Sequence, residues 1–130
     1  MASTSQKPTI LPGRIALHGK AATMLPNPNG GKPGLVFYEM AHLGKLNIRA
    51  DKSAGKMIKS ITGCTFPPAA NKFTTAGKRH VVWLSPDEFL ILCEPGKGED
   101  LTSAIQLTIG DRHSAVTNIS DALAAFHLKG

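Results

Sequence analysis

Trp83-Leu84-Ser85-Pro86-Asp87-Glu88-Phe89-Leu90-Ile91-Leu92 is the stretch that decides the fold. It holds the only tryptophan of the chain. The run before the turn, Val81-Val82-Trp83-Leu84, is β-branched and aromatic and reads as strand, as does Phe89 to Cys93. Between them Pro86 presets φ for the second position of a type I turn, flanked by the turn formers Ser85 and Asp87. The pattern predicts a β-hairpin, with strands near 79–84 and 88–94 that are buried on both faces or nearly so.

Upstream, Leu46, Ile48 and Ala50 alternate with Lys45, Asn47 and Arg49, a half-buried strand with one wet face. Asp51 follows as a helix cap. Ala54, Met57, Ile58 and Ile61 fall at i, i+3, i+4 and i+7, the apolar stripe of a short helix that Gly63 ends in a left-handed conformation. Cys64 to Asn71 reads as loop. Downstream of the hairpin, Leu101, Ile105 and Ile109 define a second helix near Glu99–Ile109, with Glu99 and Asp100 complementing its positive end. Ala115 to Ile119 and Leu123 to Leu128 read as strands. The order β-α-β-β-α-β plus one strand predicts an α+β, ferredoxin-like split βαβ unit: an antiparallel sheet with both helices on one face and an extra C-terminal strand. That last apolar strand, Leu123-Ala124-Ala125-Phe126-His127-Leu128, has little sequence after it to cover it. Such a strand is an aggregation liability or a docking edge.

Composition narrows the class. A chain of 130 residues fits one domain that can bury a core. No run of 18 apolar residues occurs, and residues 1–8 have no signal-peptide h-region, so the reading is a cytoplasmic protein with no membrane partner. Cys64 and Cys93 are expected as free thiols, Cys93 packing as a small hydrophobe. The net charge of +6 divides unevenly, +10 over residues 1–79 and −4 over residues 80–130. The lysines of the first half, among them Lys32, Lys45, Lys52, Lys56, Lys59 and Lys72, are scattered and have no aromatic platform. A solvated or protein-docking face therefore ranks above a nucleic-acid surface.

Residues 1–34 hold five prolines and the turn-rich Asn27-Pro28-Asn29-Gly30-Gly31. They read as an extended or disordered arm, with Arg14 to Leu17 as a short docked piece, ahead of a domain over residues 35–130. Gly30-Gly31-Lys32 lacks the preceding strand and following helix of a phosphate loop.

No catalytic constellation emerges. His18, His42, His80, His113 and His127 are dispersed, with no pair at metal spacing. Asp87-Glu88 is an adjacent pair in a turn, which favours turn geometry over acid–base work. Ser85 lies in Leu-Ser-Pro, not in a nucleophile elbow. Ser120-Asp121 has no histidine placed by sequence to complete a triad, and Asn118 and Ser120 suit sheet-end hydrogen bonding. Catalytic, cofactor-binding and metal residues are each read as none.

Four stretches together resemble the gamma subunit of heterotetrameric sarcosine oxidase. They are Leu43-Gly44-Lys45-Leu46-Asn47-Ile48-Arg49-Ala50, the hairpin from Trp83 to Leu92, His113-Ser114-Ala115-Val116-Thr117-Asn118-Ile119-Ser120, and Asp121 to Gly130. The resemblance covers roughly residues 35–130. Ser85, Phe89 and Asn118 depart from the family's usual Gly, Trp and Asp. The family pattern continues into a second half beyond the strand at which this sequence ends. The resemblance therefore implies a domain incomplete at its C-terminus, poorly soluble or oligomeric by itself. The fold implied is similar to the first half of the folate-binding fold of aminomethyltransferases.

The resemblance also implies a non-catalytic subunit whose partners are the alpha, beta and delta subunits. Those partners would carry FAD, FMN, NAD and tetrahydrofolate and demethylate sarcosine oxidatively to glycine. No cofactor is implied in this chain. The alternatives are the equivalent subunit of a methylglutamate dehydrogenase, a stand-alone folate-binding domain, and, behind these, a ferredoxin-like nucleic-acid binder.

Overall fold

The computed structural model describes residues 23–25, 27, 29–32, 34–110 and 112–130. Its elements are β1 (Thr23–Leu25), β2 (Leu35–Glu39), β3 (Gly44–Arg49), a 3-10 turn (Lys52–Ala54), α1 (Gly55–Thr62), β4 (Phe73–Ala76), β5 (Arg79–Ser85), β6 (Glu88–Cys93), α2 (Gly98–Ile109), β7 (Ala115–Asn118) and β8 (Phe126–Lys129). They form a five-stranded sheet in the order β4-β5-β6-β3-β7 and a three-stranded sheet in the order β1-β2-β8. Every strand pairing is antiparallel.

The segment β3-α1-β5-β6-α2-β7 is the ferredoxin-like unit expected from the sequence. Its sheet order, β7-β3-β6-β5, places the last strand beside the first and the third between the first and second. Three strands lie outside that expectation. β4 extends the sheet beyond β5 through a turn at Gly77, whose φ of 60° suits glycine. β1 and β2 form a sheet with β8 that does not involve the ferredoxin-like unit's strands. The C-terminal strand is Phe126–Lys129, shorter than the expected Leu123 to Leu128, because residues 120–122 form a turn and the pairing with β2 begins at Phe126.

Local chemistry accounts for the elements. The Asp51 carboxylate accepts from the Ser53 N–H at 2.7 Å and caps the 3-10 turn. Gly63, at φ 81°, closes α1 with its N–H on the Lys59 carbonyl. The β5–β6 hairpin turns at Pro86-Asp87, neither of which has positive φ, so the turn is not of the primed type that matches strand twist. A register shift between Trp83 and Ser85 absorbs the mismatch.

The hairpin strands are not buried on both faces. Val81, Phe89, Ile91 and Cys93 point into the core, whereas Val82, Leu90 and Leu92 are only half-buried on the opposite face. The core face also carries Leu46 and Ile48 of β3. Ile58 of α1 and Leu101, Ile105 and Ile109 of α2 cover it, so both helices lie on one side. The other side keeps Phe73 at 65% exposure beside Val82.

Lys45 departs from the wet-face reading. It is 5% exposed, and its Nζ donates to the carbonyls of Leu43 and Ser120, both at 2.9 Å. Segment 119–121 lies over it; the Ile119 N–H also donates to the Lys45 carbonyl. Arg14 to Leu17 and His18 lie outside the described residues.

Candidate functional site

The sequence-singled polar residues do not converge. At the hairpin turn, Asp87 accepts from the Ser85 hydroxyl at 2.9 Å. Its neighbour Glu88 instead accepts from the Asn47 amide at 2.8 Å and pairs with Arg49 at 3.4 Å. The two carboxylates are thus engaged in separate directions. Ser120 donates to Asn118 Oδ1 at 2.6 Å and accepts from the Lys45 N–H at 3.0 Å, tying β7 to β3. His80 Nδ1 hydrogen bonds with the Thr75 hydroxyl at 2.9 Å, and His127 stacks on Tyr38 with ring centroids 5.0 Å apart. His113 shares an open cleft with Arg49, Asp51 and Asp87. Among the described residues no three His, Cys, Asp or Glu side chains gather as a metal site would require.

Among the described residues three titratable groups are displaced from ordinary behaviour, each for a structural reason. Hydrogen bonds from the side chain and backbone of Ser53 hold the Asp51 carboxyl below its usual value. Glu94 is lowered by a backbone hydrogen bond and by Arg79, whose Nε lies 3.1 Å from its carboxylate. Burial, and then the charge of Glu94, push the Cys93 thiol up. That is the opposite of what a reactive thiolate needs. Cys64 and Cys93 are both free and buried.

What the chain builds instead is surface. An open groove of about 430 Å³ lies between the start of α1, the loop after it and the hairpin. Phe66 and Phe89 form part of its wall, stacked with centroids 4.1 Å apart and planes 7° apart. Trp83, Pro67, Pro68, Ala69, Ala70 and Pro86 add to the apolar lining, and among the described residues Lys52 is its only charged side chain. Sequence reasoning singled out Trp83 and Phe89 but not the groove, which is assembled from three separated segments. The run Phe66-Pro67-Pro68, rich in stiff apolar residues within a loop, was the available signal.

A second surface lies on the small sheet. Tyr38, Met40, Phe126 and Leu128 are exposed there, Leu128 at 64%, with Leu123 exposed just before β8. Among the described residues β8 is an edge strand, paired on one side only. Exposed apolar side chains on an open strand edge favour association with another chain. No helix among the described residues is long and apolar enough to cross a membrane.

Neither a family model nor a curated protein matches the sequence. Among solved structures, the fold is similar to a chain of the heterotetrameric sarcosine oxidase from Corynebacterium sp. U-96, solved in complex with pyrrole 2-carboxylate. The TM-score is 0.66 at 25% identity, over 74% of this chain and 50% of that one. This chain thus spans about half the length of that relative. Its fold is related to that of a subunit of a multi-chain oxidase.

Proposed function

We propose that this chain is a non-catalytic assembly subunit of the heterotetrameric sarcosine oxidase type, in the place of the gamma subunit. The observation that carries the reading is the structural likeness to a chain of that oxidase, at TM-score 0.66. Two features of the molecule support it. The exposed apolar residues around β8 suit a surface covered by another subunit. Glu88 at the hairpin and Ser120 after β7 are engaged in hydrogen bonds that tie them to β3, and Asp87 is engaged within its own turn. In this reading the flavins and NAD reside in the partner alpha and beta subunits and folate in the alpha subunit. The complex is cytoplasmic. Sarcosine demethylation proceeds in the partner chains.

The test is co-expression of the full chain with the other subunits of such an oxidase. Co-purification in a fixed ratio, lost in Phe126→Asp/Leu128→Asp, supports the reading. A chain that never associates refutes it. A methylglutamate dehydrogenase subunit is distinguished by the substrate the assembled complex oxidises. A stand-alone folate-binding domain is distinguished by calorimetric titration of tetrahydrofolate into the isolated chain.

A further inference from the structure

We propose that the groove at Trp83 binds an acidic polypeptide segment presenting an aromatic or proline side chain. The groove has the chemistry of a protein-recognition site more than that of a small-molecule pocket. Small-ligand sites fix orientation with several convergent polar groups. Among the described residues this one offers a single charged side chain, Lys52, over an apolar wall of Phe66, Pro67, Trp83, Pro86 and Phe89. Among the described residues no buried side-chain polar atom is left without a partner, so none waits inside for a ligand atom. A half-buried tryptophan set among apolar rings is the residue type that anchors interfaces. Aromatic and proline side chains stack on such walls at little entropic cost.

Charge identifies the partner. Lys52, Lys56 and Lys59 stand at i, i+4 and i+7 along the 3-10 turn and α1, all exposed. The ion pairs of the described residues are Arg49–Glu88 and Arg79–Glu94, which leaves this lysine row without an acidic partner. Lys52 lines the groove itself, and Gly55, next to Lys56, also lines it. A segment lying in the groove therefore passes beside uncompensated positive charge, which attracts an acidic chain and repels a basic one. A second copy of this chain fits poorly, since the same basic row would meet itself or a chain of net charge +6. The inference is read from this chain alone and stands apart from the subunit reading.

The experiment selects a displayed library of random short peptides on the immobilised full chain. Emission of Trp83, the only tryptophan, then follows binding of the selected peptides. The expected result is enrichment of Asp and Glu around an aromatic or proline residue, with a saturable shift of the emission. Affinity should fall at least about tenfold in Lys52→Glu/Lys56→Glu. It should hold within about threefold in Lys97→Glu/Lys129→Glu, which makes the same change of net charge elsewhere. Peptides with no acidic excess, an unchanged Trp83 emission, or equal weakening by both double variants would overturn the proposal. So would self-association that buries Trp83, seen by sedimentation. Failure here leaves co-purification with oxidase subunits untouched, so the two readings fail separately.

Discussion

The Sγ of Cys93 occupies the space that a Cβ on Gly44 would need. The two residues face each other across β3 and β6, so the absence of a side chain at 44 lets the buried thiol close the end of the core. Gly44→Ala therefore overpacks a site that cannot relax freely and should cost about 1–3 kcal/mol in urea unfolding. Cys93→Ala should relieve the clash. The double variant is expected to be more stable than the sum of the single effects by about 1 kcal/mol or more. Additive effects would show that Cys93 is not the obstacle.

Lys45 is a buried cation held by two carbonyls, with no carboxylate as its hydrogen-bond acceptor. Lys45→Met keeps the stem but leaves the Leu43 and Ser120 carbonyls without this donor, an expected loss of about 1–3 kcal/mol. A surface lysine would cost no more than about 0.5 kcal/mol. Denaturant midpoints of the variant and the parent chain decide between the two.

Asp51 and Glu94 are both held below their ordinary carboxylate values, 3.8 and 4.5, Asp51 by the hydrogen bonds of Ser53 and Glu94 by its own backbone N–H and then Arg79, in geometry that the folded chain fixes. A lowered folded pKa stabilises the fold above the unfolded value, and the gain disappears as pH falls through the folded value. Stability is therefore expected to hold from neutral pH down to about pH 5 and to decline below it. Asp51→Asn/Glu94→Gln should flatten that decline, measured as urea midpoints across the range. An unchanged slope would assign the acid sensitivity to other groups.

The elements that were legible in the sequence are those whose signals are local. The β5–β6 hairpin is written in two β-rich runs around Pro86-Asp87. Helix α1 is bracketed by the Asp51 cap and by Gly63, and α2 by its stripe Leu101, Ile105 and Ile109. β4 was missed although Gly77 marks its turn, because Phe73–Ala76 is short and half polar. β2 was missed although Leu35-Val36-Phe37-Tyr38 is rich in strand formers. Its pairing of Glu39 with Phe126 joins positions that no local pattern connects.

Burial of Lys45 depends on Ser120, 75 positions away, so alternation within β3 alone assigned it to solvent. The groove was hidden for the same reason. Its wall brings Lys52, Phe66 and Trp83 together from three segments, and only the tertiary fold does so.

The proposed subunit role requires that other chains cover the apolar surface around β8. Its most direct measurement is size-exclusion chromatography with flavin absorbance on the full chain co-expressed with the flavin-bearing subunits of a heterotetrameric sarcosine oxidase. The expected result is that the chain co-elutes with flavin in a fixed ratio, and that Phe126→Asp/Leu128→Asp releases it without abolishing its own folding. Elution of the wild-type chain by itself as a stable monomer, with no flavin-bearing partner, would contradict it.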